Sequence, residues 1–479
     1  NQRYYTYPNQ RGYLLFINHK INKMRKMTMR HSIFTLIPIL FLALGCAPED
    51  TTPWVDLFNG DNLDGWSRLG GEAVYTVEDG EVVGTTVLNT PNSFLCTDEH
   101  FSDFILEYEF KLDAATNSGV QIRSNSYPEY NNNRVHGYQI EIDPSDRAWT
   151  GGIYDEARRG WLYPLQDMPE AQEAYRHLEW NQVRVEAIDD TFRVWVNDIP
   201  TAHLVDDMTR EGFIGLQVHG IGDNQDNEGI NIRWRNIRIV TEQPGLYARE
   251  ISLPAVDNYN QLTLSEEDWG WELLWDGETT EGWRGAKLED FPESGWEISD
   301  GVLTVLESGG EESRAGGDIV TLDAYSDFEL RVDFKLTPGA NSGIKYFVDT
   351  ELNKAEGSAI GLEYQLLDDE LHPDAKLGNH EGSRTLGSLY DLIKAENKNP
   401  HPIGEWNHAR IVSSGNHVEH WLNGRRLLQY ERNTPEFNQL VQESKYKVWP
   451  GFGTWEEGYL LLQDHGNRVS FRNIKIKTD

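Results

Sequence analysis

Two short runs in this 479-residue chain end in a histidine placed near a glutamine: Ile214-Gly215-Leu216-Gln217-Val218-His219-Gly220 and Leu461-Leu462-Gln463-Asp464-His465-Gly466. In a strand, successive side chains alternate faces, so Gln217 shares a face with His219, and Gln463 shares one with His465. The same period groups Gln139 with Glu141 and Asp143, and Glu363 with Gln365 and Leu367. A core-facing row would be apolar, so these polar rows are expected to face a solvated cleft. A histidine, or a carboxylate with a raised pKa, can act as a general base near neutral pH. Amide side chains beside it can donate to a bound group. His219 and His465 are therefore the expected bases, with Glu141 and Glu363 orienting them or holding a divalent cation. No ligand spacing identifies such an ion, and no other cofactor is implied. Gln139, Gln217, Gln365 and Gln463 are the expected amide contacts. Two other readings stand beside this one. These residues could simply cross-link sheet edges. Alternatively, Glu141 and Asp143 could serve an ordinary retaining glycosidase, which needs carboxyl groups roughly 5–5.5 Å apart.

The elements that must carry these residues occur twice. Asp103–Arg123 reads DFILEYEFKLDAATNSGVQIR, and the stretch from Asp327 to Val348 reads DFELRVDFKLTPGANSGIKYFV. Phe104, Leu106, Tyr108, Phe110 and Leu112 alternate with more polar positions, as do Phe328, Leu330, Val332, Phe334 and Leu336, which predicts strands with one buried face. Asp79-Gly80 and Asp300-Gly301 suit hairpin turns. Hairpins beginning at Trp180-Asn181 and Trp406-Asn407 are expected to close at Asn197-Asp198 and Asn423-Gly424. Helical signals are confined to Glu170–Leu178 and to Thr434–Ser444, with Thr434 as an N-cap. The expected fold is all-β, two jelly-roll sandwiches in tandem. The expected boundaries are 54–241 and 271–479, with 242–270 as a linker.

Composition narrows the function. A net charge of −35 argues against nucleic-acid binding, which needs a basic footprint. The 16 tryptophans suit sugar stacking and sandwich cores alike. Cys46 and Cys96 are the only cysteines, too few for a disulfide framework or a cysteine-based zinc cluster. Arg30, the apolar run Ile33–Leu44 and Leu42-Ala43-Leu44-Gly45-Cys46 resemble a lipoprotein signal, so residues 1–45 are read as upstream sequence and signal peptide. Residues 46–53 are then a tether, with a lipid on Cys46 and a bacterial cell-envelope location. There is no P-loop, no dinucleotide fingerprint and no Gly-x-Ser-x-Gly elbow.

Several motifs carry a family resemblance. Ser118-Gly119-Val120-Gln121-Ile122-Arg123, Gly137-Tyr138-Gln139-Ile140-Glu141, Gly152-Ile153-Tyr154-Asp155 and Arg158-Arg159-Gly160-Trp161-Leu162 resemble the 3-keto-disaccharide hydrolase domain family. In the second half, Tyr364-Gln365-Leu366-Leu367, Gly387-Ser388-Leu389-Tyr390-Asp391 and His420-Trp421-Leu422-Asn423-Gly424 are similar to the same family. The resemblance implies a concanavalin-like jelly roll and action on glycosides oxidised at C3, with Arg123, Tyr154 and Tyr390 on the substrate. It also implies removal of the acidified C2 proton, elimination at C1 and hydration. A glycan-binding surface protein without turnover is the alternative of another class.

Overall fold

The computed structural model describes residues 53–310, 312, 316–354 and 357–478, which lie in one compact unit. Cys46 and the signal segment fall outside the described residues. Among the described residues no helix is long and apolar enough to cross a membrane.

Each repeat forms a two-sheet sandwich around its own core. In the first, Phe104–Leu112 lies between Asn181–Ile188 and Asn231–Val240 in the larger sheet. Its Phe-Leu-Tyr-Phe-Leu face is almost wholly buried, as the alternation predicts. Phe328–Leu336 repeats this between Trp406–Ser414 and Val469–Thr478.

The smaller sheets carry the polar rows. The first runs, in spatial order, Gly160–Tyr163, Ile153–Glu156, His136–Ile142, Ser118–Asn125, Phe213–Val218, Ser93–Thr97 and Trp66–Gly70. The second runs Trp283–Gly285, Ile319–Tyr325, Gly458–Leu462, Asn341–Asp349 and Ile360–Leu367. In both, the residues alternating with the polar row enter the core: Tyr138, Ile140 and Ile142 in one, Leu362, Tyr364 and Leu366 in the other.

Local signals fared unevenly. Asp79-Gly80 and Asp300-Gly301 all have positive φ, the conformation that a two-residue hairpin with native twist requires. Thr434 Oγ1 accepts from Phe437 N at 3.1 Å and caps the helix Pro435–Glu443. The helix expected over Glu170–Leu178 is one turn, Pro169–Gln172, with Leu178 left-handed. The expected hairpins are three-stranded meanders. Asn181–Ile188 turns first at Asp189-Asp190, and Asn197-Asp198 joins the second strand, Thr191–Val196, to the third, Ile199–Val205.

The segment between the repeats is built into the fold. Val256–Asp257 pairs parallel with Ile199–Val205, and Leu264–Asp268 is a helix with a Thr263/Glu266 capping box. Buried Glu266 accepts from Lys475 at 2.8 Å and Arg331 at 3.3 Å, while Thr263 Oγ1 donates to Arg159 O at 2.7 Å. The outer face of Phe328–Leu336, expected to be wet, is thereby half-covered or buried against the first sandwich. A cavity of about 250 Å³ remains at this seam.

Candidate functional site

Registers place the polar rows side by side. In the first sandwich, Gly119 pairs with Glu141 on one side and with Gln217 on the other, while Gln121 pairs with Gln139 and then Tyr154 follows. In the second, Gly343 pairs with Gln365, and Lys345 with Glu363. Gln463 N donates to Gly343 O at 3.0 Å. The matched positions are thus Gly119 and Gly343, Gln121 and Lys345, Gln139 and Glu363, Glu141 and Gln365, Gln217 and Gln463. The glycine of each Asn-Ser-Gly is a matter of space. A Cβ at Gly119 would fall 2.5 Å from the Gln139 side chain, and one at Gly343 would fall 2.5 Å from Glu363.

The second sandwich concentrates charge here. Lys345 Nζ donates to Ser358 Oγ and to Ala359 O, and lies 3.7 Å from Glu363 Oε2. Burial raises the Glu363 carboxyl above its usual range, against the pull of Lys345 and Lys445. The Lys445 ammonium sits 4.2 Å from the Tyr390 ring centroid and 5.2 Å from that of Tyr446, with no ion pair among the described residues. Burial lowers its pKa, with Glu363 opposing. Tyr446 Oη donates to Glu363 Oε2 at 3.5 Å. Lys345, Lys445, Tyr446 and Ser358, with Glu312 and Trp449 among others, line a cavity of about 200 Å³, and Glu363 lies behind it. Gln463 Nε2 donates to Glu312 at 3.2 Å. Gln365 Oε1, Gln463 Oε1 and His465 Nδ1 are buried without a partner.

The first sandwich is different in kind. Asn117 Nδ2 and Gln139 Nε2 donate to the two oxygens of Glu141, at 2.6 and 2.8 Å. Gln121 Nε2 donates to Gln139 Oε1 at 2.7 Å, and Ser124 Oγ to Gln121 Oε1 at 2.7 Å. Burial pushes the Glu141 carboxyl up to about 7, the amide bonds only partly offsetting it. Gln217 is fully buried, and neither amide atom has a partner. His219 Nδ1 bonds the Gly220 carbonyl at 2.8 Å, and burial lowers its pKa.

Tyr154 and Tyr390 border the two polar rows, Tyr390 with its hydroxyl on Asp374 at 2.7 Å. Arg123 does not join them. Its φ is +43°, at a bulge between Ile122 and Asn125, and the side chain turns to the buried edge of the sandwich. There it bonds Ser102 O, Asp189 O and Asp103. The bulge breaks the period of two on which sequence reasoning depends. Asp143 is also taken, by Arg147 at 2.8 Å. The lysines were missed because they do not repeat: Lys345 replaces Gln121, and Lys445 lies in the 3-10 turn Lys445–Val448.

The group of acids and histidine closest to a metal-ligand geometry among the described residues lies elsewhere, at the seam: Asp207, Asp333 and His408. Its charges are already answered. Arg472 donates to Asp207 at 2.8 Å and reaches Asp333 at 3.4 Å, and His408 Nδ1 lies 2.6 Å from Asp333. The arrangement is an ion cluster joining the sandwiches, and the donor set does not fit a cation while Arg472 holds both carboxylates.

The fold and site define a chain of tandem all-β sandwiches, each with a polar, aromatic-bordered row on its smaller sheet. The protein belongs to the 3-keto-alpha-glucoside-1,2-lyase-like domain family, whose profile matches residues 53–240 and 270–477. It is similar to a 3-keto-disaccharide hydrolase from Bacteroides thetaiotaomicron, 36% identical over 251 residues, which is 48% of this chain and 85% of that protein. Among solved structures it resembles two candidate glycosyl hydrolases from Parabacteroides distasonis ATCC 8503. One is 32% identical, covering 46% of this chain and 99% of that one, with a TM-score of 0.41. The other is 30% identical, covering 38% and 90%, with a TM-score of 0.30.

Proposed function

We propose that this protein cleaves 3-keto-glycosides, and that the second sandwich is the catalytic half. The observation that carries this is a buried carboxyl, Glu363, held 3.7 Å from Lys345 and bonded by Tyr446, directly behind a cavity that Lys345, Lys445 and Tyr446 line. A ketone at C3 acidifies the C2 hydrogen. Glu363, its pKa raised by burial, takes that proton. The electron pair moves to O3 as an enolate, which the ammonium groups of Lys445 and Lys345 stabilise. The enolate then expels the C1 oxygen, which takes a proton from His465, and water adds across the C1–C2 double bond. The membership of both halves in the family and the Bacteroides relative support this substrate class.

The test incubates the purified protein with a 3-keto-disaccharide and with the unoxidised parent. Monosaccharide release from the oxidised sugar alone is the expected result. Glu363→Gln and Lys445→Met should each lower kcat/KM at least 100-fold. Binding without release from either sugar would replace the enzyme with a glycan-binding protein. The pH profile should be bell-shaped. Activity rises as Glu363 ionises through its elevated pKa, and falls as Lys445 loses its proton through its depressed one. We further propose that Cys46 carries a lipid that holds the protein in the bacterial envelope; membrane retention of Cys46→Ser would dismiss that anchor.

A further inference from the structure

We propose that Asp318 is a positioning residue for Lys345, holding its ammonium at the cavity wall through the Ser358 hydroxyl. This role rests on the cleavage reading above, in which Lys345 stabilises the enolate. Hydrogen-bond directions come first. A lysine ammonium only donates, so Ser358 Oγ, which it meets, must accept. The single hydrogen of that hydroxyl then goes to Asp318 Oδ2. Asp318 also accepts from Ala359 N at 3.2 Å and from Asp464 N at 3.0 Å. With a carboxylate at its end, the chain from Lys345 to Asp318 has one direction. Lys345 gives a second hydrogen to Ala359 O at 3.2 Å, which leaves the third for the side where Glu363 stands, 3.7 Å away.

The duplication shows that this acid is no part of the shared frame. Thr97 and Thr321 are matched positions: each pairs with a tryptophan of the neighbouring strand, Trp66 or Trp283. Each also donates its hydroxyl to a carbonyl two residues on, at 2.7 Å. Three residues before them stand Phe94 and Asp318. His136 and Ile360 are matched at the corresponding bulges, which sets Arg134 against Ser358 and Val135 against Ala359. In the first sandwich Phe94 and Val135 pack with Cys96 and Phe213 in an apolar cluster. The second puts a carboxyl, 4% exposed, in place of that phenyl ring.

Burying an acid there is unfavourable in itself. Burial raises the Asp318 carboxyl above its usual range, with Lys345, Ser358 and the Asp464 N–H opposing. The matching difference is the ammonium, since Gln121 stands where the second copy has Lys345. Acid and lysine are present together in one copy and replaced together in the other. Lysine carries its charge on a flexible four-carbon stem. An ammonium stabilises a developing enolate best when its direction is fixed before the charge appears. Ser358 and Ala359 line the same cavity as Lys345, so anchor and ammonium share one wall.

The experiment measures monosaccharide release from a 3-keto-disaccharide by the full chain and by variants with native-like melting. Asp318→Asn and Ser358→Ala should each lower kcat roughly tenfold or more, with KM within about twofold of wild type. Ser358→Thr, which keeps the hydroxyl, should restore the rate; this pair carries the test if Asp318→Asn does not fold. In a Lys345→Met background neither change should lower kcat further, because the group they act through is gone. Wild-type kcat in both variants overturns the role. So does an equal loss in the Lys345→Met background, which marks a merely structural effect. A wild type that releases nothing removes the cleavage reading and this role together. A wild type that cleaves, beside fully active Asp318→Asn and Ser358→Ala, removes this role alone.

Discussion

Glu141→Gln should stabilise the protein, and only above a definite pH. The folded carboxyl titrates at about 7, against an ordinary value of 4.5. Below pH 4.5 both the folded and the unfolded chain hold the proton, and the group contributes nothing. Between 4.5 and 7 the unfolded chain releases its proton while the folded one retains it, so unfolding becomes progressively easier. Above 7 the full penalty of a buried charge is present. A separation of about 2.5 pH units, at ~1.4 kcal/mol each, gives ~3 kcal/mol. Glutamine removes that penalty, so the variant should exceed wild type by ~2–3 kcal/mol at pH 8 and match it near pH 4.5. Denaturant unfolding across that range, followed by tryptophan fluorescence, measures the difference. A variant less stable than wild type at pH 8, or a gap that does not change with pH, would refute the reasoning. Either result would mean that Asn117 and Gln139 stabilise the carboxylate more than burial penalises it.

Phe110→Ala and Phe334→Ala should each cost about 3–5 kcal/mol in the same assay, because both rings are completely buried at the centres of their cores. Arg472→Met should cost about 3–5 kcal/mol by leaving Asp207 and Asp333 at the seam without their guanidinium, and the loss should shrink as the pH falls toward their protonation. Cys96 is buried and its thiol is pushed well above the ordinary value by burial, with Asp98 adding to it, so a disulfide reagent should leave it unmodified until the protein is denatured.

Much of the architecture was legible because alternation and duplication are both written in residue order. Phe104–Leu112 and Phe328–Leu336 announce their buried faces, and the Asp-Gly pairs announce their turns. The polar rows were visible by the same rule. What escaped was whatever breaks a period or crosses the chain. The left-handed residue at Arg123 turns that side chain out of its row, and Phe347, also left-handed, marks the matching bulge in the second copy. Lys445 meets Glu363 only through the tertiary fold, from a turn with no counterpart in the repeat. The burial of Glu329, Arg331 and Asp333 follows from how one sandwich covers the other, which no strand pattern encodes.

The row Ser124, Gln121, Gln139, Glu141 has a direction: each donor points along the strands toward the carboxylate, as dipoles order in a line. A carboxylate accepts only, and it alone fixes that order from one end. At the other end stands a hydroxyl, which can give or receive with equal ease. A proton arriving on Glu141 at the oxygen facing Gln139 makes it a donor there, and Gln139 and then Gln121 must turn their amides over to accept it, leaving Ser124 as the last acceptor. Titration of one buried acid is therefore transmitted through two amide rotations to a serine on the neighbouring strand. Protonation of Glu141 on that oxygen would thus reverse the three bonds from Ser124 to Glu141, while the bond from Asn117 to the other oxygen keeps its sense.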